Sequence, residues 1–159
     1  MHIRLANLTN PSDARAIVDM LDMYSQDEFG SSAPLSPKAR ENLIPGLLQH
    51  GGARVFLAFD EAANQPLGVA ICMIGFSSFR GAPLINIHDI AVSPNARGQG
   101  VGAALLRAIE VEAKARGCCR ITLEVRSDNT RAQAVYRRAG YQSTQPETWF
   151  WMKSFGDEH

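Results

Sequence analysis

Residues 98–102 read GQGVG, three glycines in five positions, and they stand between an apolar, strand-like run at 84–92 (LINIHDIAV) and the longest helical pattern in the chain. No other feature narrows the choice of folds as much. Behind the glycines, Gly102, Leu105, Leu106, Ile109 and Ala113 form an apolar stripe at helical spacing. Glu110 and Lys114 pair at i,i+4, and Gly117 supplies the stop. Each glycine in a helix loses up to about 1 kcal/mol relative to alanine, so a plain turn accounts poorly for the cluster. Glycines instead leave backbone N–H groups bare at a helix start, where unpaired donors and the helix dipole favour an anion. A phosphate group is the natural guest. Arg97, at the entry of the loop, either adds positive charge to it or is an ordinary solvated arginine.

Two common phosphate loops fit badly. Gly98, Gly100 and Ala103 satisfy GxGxxA, and Glu124 follows about twenty residues on, as in dinucleotide-binding sheets. In that fingerprint, however, the glycines follow the strand almost at once, whereas SPNAR intervenes here, and too little chain remains for a doubly wound sheet. The Walker pattern fails for want of a GK[ST] ending.

The rest of the chain supplies the neighbours of this unit. Residues 2–8 alternate like a half-buried strand, and Asn10–Pro11 then Ser36–Pro37 each read as an N-cap and first helical residue, the second helix running to about Gln49 before Gly51 and Gly52. Residues 53–60 and 66–76 are apolar runs joined by a short polar connector, an antiparallel pair. Residues 120–125 read as a further strand, 129–140 as a short helix closed by Gly140, and 148–155 (TWFWMKSF) as a last strand. These alternations imply an α/β (α+β mixed) fold in a single domain over residues 1–159, with a central mixed sheet of about six to seven strands and helices on both faces.

Sixteen basic and sixteen acidic residues balance to a formal net charge of zero, which argues against nucleic acid or an anionic membrane surface as partner and toward a small molecule. Of three cysteines, Cys118 and Cys119 are adjacent and Cys72 lies in an apolar run, a spacing that suits neither a zinc site nor a CxxC pair, so no metal is expected. With no apolar leader and no stretch of 18 uncharged apolar residues, the expected location is cytoplasmic.

The run DIAVSPNARGQGVGAALL resembles the acetyl-coenzyme A signature of the GNAT-type N-acetyltransferases: a strand, then [QR]xxGx[GA], then a helix, with Arg97, Gly100 and Gly102 at the specified positions. NTRAQAVYRRAGY is similar to the family's NxxAxxxYxxxG[FY] element through Asn129, Ala132, Tyr136, Gly140 and Tyr141. Together they span residues 84–141. The resemblance implies the acyl-CoA N-acyltransferase fold, a bent mixed sheet whose fourth and fifth strands splay to admit the pantetheine arm. It also implies backbone contacts to that arm from Ile90, Ala91 and Val92, a diphosphate cradle of amides from Arg97, Gly98, Gln99, Gly100, Val101 and Gly102, and a hydrogen bond from Asn129, which reads equally well as a helix N-cap.

Acetyl transfer to an amine needs a base for the ammonium and an acid for the departing thiolate. Tyr136 lies where the family's leaving-group acid sits, and a phenol with a reference pKa of about 10 can protonate a thiolate. His88 lies on the strand where some members carry a glutamate that relays the amine proton; imidazole titrates near neutral pH, but the change of residue type weakens the correspondence. Asp89 is the neighbour that either orients the ring or makes a structural hydrogen bond. For the acceptor, a primary amine on a small molecule or amino acid with a peptide N-terminus as competitor, the candidates are Tyr24, Asp27, Glu28 and Phe79, with Phe76 and Arg80 beside them. A non-catalytic acyl-CoA sensor is the alternative reading, and the apolar segment 148–155 leaves a homodimer open.

Overall fold

A computed structural model describes residues 1–62 and 64–155. The elements run β1 (His2–Leu5), α1 (Pro11–Ser25), α2 (Pro37–His50), β2 (Ala53–Phe59), β3 (Pro66–Ser77), β4 (Ala82–Val92), a 3₁₀ turn (Pro94–Ala96), α3 (Val101–Ala115), β5 (Ile121–Leu123) and α4 (Thr130–Arg138). The sheet order is β1-β2-β3-β4-β5. The first four strands form an antiparallel meander; β5 joins β4 in parallel, the geometry that needs the α3 crossover between them.

Local chemistry sets the helix ends. Asn10 Oδ1 accepts from the N–H groups of Ser12 and Asp13, and Ser36 Oγ accepts from Ala39 N–H; in both helices proline takes the first helical position. One side of the sheet packs Ile17, Met20, Leu21 and Leu47 of α1 and α2 on Val55, Leu57, Val69 and Ile71. The other packs Val101, Leu105 and Ile109 of α3 on Ala70, Cys72, Ile85 and Ile87. Each fully buried branched side chain contributes about 1.5–3 kcal/mol, so both layers anchor the site that lies along β4.

A bulge at His88 governs that strand. Cys72 pairs with Ile87 and Ile71 with Asp89, leaving His88 without an opposite residue. One unpaired residue inverts the alternation of everything after it. Ile85 and Ile87 therefore face α3, whereas beyond the bulge it is Ile90 and Val92 that pack on that side, and Ala91 joins the α1 side.

Five strands are present among the described residues, not six or seven. The strand expected at 148–155 is absent: Trp149, Phe150, Trp151, Met152 and Phe155 are 72–86% exposed. An apolar run becomes a strand only against an edge that supplies hydrogen bonds, and β5, at three residues, offers a short one. No helix among the described residues is long and apolar enough to cross a membrane, and no group of three or more His, Cys, Asp or Glu there could hold a metal ion.

Candidate active site

The β4–β5 ladder ends at Ile87–Leu123, yet β4 continues to Val92. Past the bulge the β5-facing edge of β4 has no partner strand, and alternate backbone N–H and C=O groups open into a cleft. The expected splay is therefore present, and its cause is visible: β5 is only three residues long and stops before the bulge.

The cleft widens into two cavities. The larger, about 1050 Å³, runs from Ile90, Ala91 and Val92 past Arg97, Gly98, Gly100, Val101 and Gly102 to Asn129, Tyr136 and Tyr141. The smaller, about 360 Å³, is lined by His88, Leu123, Glu124, Arg126 and Phe150. Tyr24, Phe29, Ile90, Asn129, Ala132 and Tyr136 border both. A long ligand in the first cavity would thus present one end to the second at Ile90 and Tyr136.

The glycine loop supplies an anion seat. Gly98 and Gly100 have φ of +80° and +82°, which glycine adopts without strain. The first intrahelical bond of α3 is Ala104 N–H to Gly100 C=O, so the amides of Val101, Gly102 and Ala103 have no intrahelical acceptor, and no side chain caps this end. Elsewhere in the chain such ends are capped by Asn10, Ser36 and Asn129. A Cβ at Gly102 would meet nothing nearer than Val92 Cγ2 at 3.8 Å. The fold itself tolerates a side chain there; a ligand resting on the helix start would not. These features fit a diphosphate.

Two members of the expected cradle are engaged otherwise. The amides of Arg97 and Gln99 donate to Pro94 and Ala96 carbonyls, each at 3.3 Å. Gln99 also turns its side chain back to Asn95 C=O and does not line the cavity. Arg97 donates through Nε to Val92 C=O and through Nη2 to Asp27 Oδ2, at 3.4 and 2.6 Å. Arg107 and Lys114 on α3, the latter paired with Glu110, and Arg131 and Arg138 on α4 line the larger cavity. Both pairs stand at i,i+7, a sequence signal that marks one helix face and that sequence reasoning passed over.

At the junction, burial, with a smaller effect from Tyr24, pushes the Tyr136 phenol up to about 12. Tyr136 therefore keeps its proton at neutral pH, and the same shift makes it a weaker acid than a free phenol. Burial also raises the Tyr24 phenol, as do the nearby Asp89 and Asp27 carboxylates. Burial raises the Asp89 carboxyl against the opposing influence of His88. The Arg97 hydrogen bond, with help from the Phe29 amide, holds Asp27 below the usual carboxylate range. Asn129 caps α4, its Oδ1 accepting from Ala132 N–H at 3.0 Å, which leaves its NH₂ group as donor.

His88 is exposed at the bulge and lines the smaller cavity. Glu28 borders the larger. Phe79 is 99% exposed at the β3–β4 turn and, like Phe76 and Arg80, lines neither cavity. The hairpin pairs as far as Ser77–Ala82, which carries these residues beyond the cleft. Phe29, Glu124, Arg126 and Phe150 border the site unforeseen; only the fold brings 29, 124 and 150 together.

The profile of the Acetyltransferase (GNAT) family matches residues 17–141. Bovine (Bos taurus) thialysine N-epsilon-acetyltransferase is 30% identical over 105 residues, a match that takes in 61% of this chain and spans 60% of that relative's length. Among solved structures, a probable acetyltransferase superposes with a TM-score of 0.83 at 23% identity, covering 99% of this chain and 100% of the other. The aminoglycoside antibiotic 6'-N-acetyltransferase of Acinetobacter haemolyticus gives 0.73 at 23% identity, over 98% and 100%. At such identities the superpositions speak for the fold; the profile match, extending over most of the sequence, shows that the chain belongs to the GNAT acetyltransferase family.

Proposed function

We propose that the protein transfers the acetyl group of acetyl-coenzyme A to a primary amine carried by a small molecule or amino acid. One observation carries this reading: an uncapped, glycine-lined helix start and a junction tyrosine lie along one cleft, with a second, smaller cavity opening at the tyrosine. Acetyl-coenzyme A supplies an activated thioester. The amides of Gly98 and Val101–Gly102 hold the diphosphate, Arg97 and the basic faces of α3 and α4 add charge, and the free edge of β4 from Ile90 to Val92 hydrogen-bonds the pantetheine arm as a neighbouring strand would. Asn129 donates to the same arm.

Tyr136 gives its proton to the departing sulfur, and an N–H group near Ile90 stabilises negative charge on the acyl oxygen. His88, set off from the ladder by the bulge, takes the proton of the acceptor ammonium directly or through water. Tyr24, which borders both cavities, and Asp27 and Glu28, which line the larger one, flank the acceptor's approach. The names of the relatives support an amine acceptor, since thialysine carries one on an amino acid and aminoglycosides carry several.

A panel of free amino acids, aminoglycosides, simple alkylamines and short peptides, each followed by thiol release and by the mass of the product, tests the proposal. At least one amine should gain a stoichiometric acetyl group. Thiol release with every amine left unmodified would instead favour an acyl-CoA sensor with incidental hydrolysis.

A further inference from the structure

Asp27 and Arg97, 70 residues apart in sequence, both line the larger cavity and meet there, with Nη2 at 2.6 Å from Oδ2. Arg97 opens the glycine loop. Asp27 belongs to the strap between α1 and α2, and the same strap places Phe29 under the Arg126 guanidinium, 5.8 Å from its ring centre, on the other side of the cleft. The strap is closely built. Asp27 Oδ1 accepts from Phe29 N–H, Gly30 N–H donates to Asp27 C=O, and Ser31 N–H returns to Ser25 C=O. A Cβ at Gly30 would fall 2.3 Å from Tyr24 C=O, so the chain turns here only as glycine.

We propose that Asp27 links cofactor and acceptor binding: its carboxylate holds the Arg97 guanidinium, the diphosphate of coenzyme A takes that guanidinium over, and the released carboxylate, beside Tyr24, receives the acceptor's ammonium. The proposal rests on the glycine loop being the diphosphate seat. A diphosphate carries more charge than one carboxylate and presents more acceptor oxygens to the planar fork of arginine, so it prevails in the exchange. A part-buried carboxylate that loses its cation is left costly until another replaces it, and an amine arriving as its ammonium is such a cation. Each ligand thereby improves the site for the other, and the coupling is reciprocal.

Calorimetric titration of coenzyme A onto the full chain and its Asp27→Asn, Arg97→Ala and doubly substituted forms tests this. Asparagine retains the hydrogen bond from Phe29 N–H, so the strap keeps its shape. Removing the competitor should tighten coenzyme A binding roughly three- to tenfold, the scale of a partly exposed ion pair. Arg97→Ala should weaken binding, and on that background Asp27→Asn should change nothing. With the amine that the panel identifies, Asp27→Asn should raise KM at saturating acetyl-coenzyme A while kcat stays within about threefold, the split expected when ground-state binding alone is lost. Unchanged or weaker coenzyme A binding in Asp27→Asn, or equal tightening without Arg97, overturns the exchange. Failure of the unsubstituted protein to bind coenzyme A at all overturns the reading of the loop instead.

Discussion

In the proposed reaction, Tyr136 and His88 divide the proton work by their surroundings. Burial pushes the Tyr136 phenol up to about 12, so it stays protonated throughout the range in which enzymes work, as the proposed acid must be. Tyr136→Phe removes the donor but little volume; kcat should fall about 100-fold, while calorimetry should find acetyl-coenzyme A affinity nearly intact. Unchanged turnover would dismiss the phenol as acid. The same burial has a consequence for stability. A group whose pKa is higher folded than unfolded stabilises fully below the unfolded value and ceases to as pH rises through the folded one. Tyr136 and Tyr141, both pushed from 10.0 to about 12, should therefore make denaturant stability fall between those pH values, and Tyr136→Phe should flatten part of the fall. For His88, the test is the acidic limb of kcat/KM: His88→Ala should abolish or displace it, and an unmoved limb assigns the base elsewhere. Tyr136 was legible in the sequence because a spaced motif surrounds it. The exposure of His88 was not, because it depends on a bulge created by pairing with Ile71 and Cys72, far back in the chain.

Elements with local signals were read well. Asn10–Pro11, Ser36–Pro37, Gly51, Gly117 and Gly140 mark helix ends close to where they occur, since capping depends on residues a few positions apart. Partnerships across long separations were not legible. Asp27 was expected beside an incoming cation and is found on Arg97, and 148–155 was expected as a strand although β5 is only three residues long. At the start of α3, Gly102 separates the needs of the fold from those of the ligand. Gly102→Ala should stabilise the protein by about 0.4–1 kcal/mol through the less flexible unfolded chain and better helix propensity. It should weaken coenzyme A roughly tenfold, the effect of one methyl group forced into a filled contact. Equal affinity would mean that no ligand rests on that turn, whatever the change in melting temperature.

At the scale of the molecule, the sheet and helices converge on one outcome: β4 runs past its parallel neighbour, α3 turns an uncapped end to the gap, and α4 brings a neutral phenol to its far side. The exposed aromatic segment at 148–155 is where the homodimer left open by the sequence would form, and sedimentation at twice the monomer mass, lost on truncation after residue 147, would support it. All of the proposed chemistry depends on a thioester-bearing nucleotide being seated at residues 97–102. Calorimetric titration of the intact protein with acetyl-coenzyme A, beside nicotinamide and flavin dinucleotides, tests that directly. Saturable uptake of acetyl-coenzyme A at one site per chain, with neither dinucleotide bound, is the expected result; uptake of a dinucleotide with no response to acetyl-coenzyme A would contradict it.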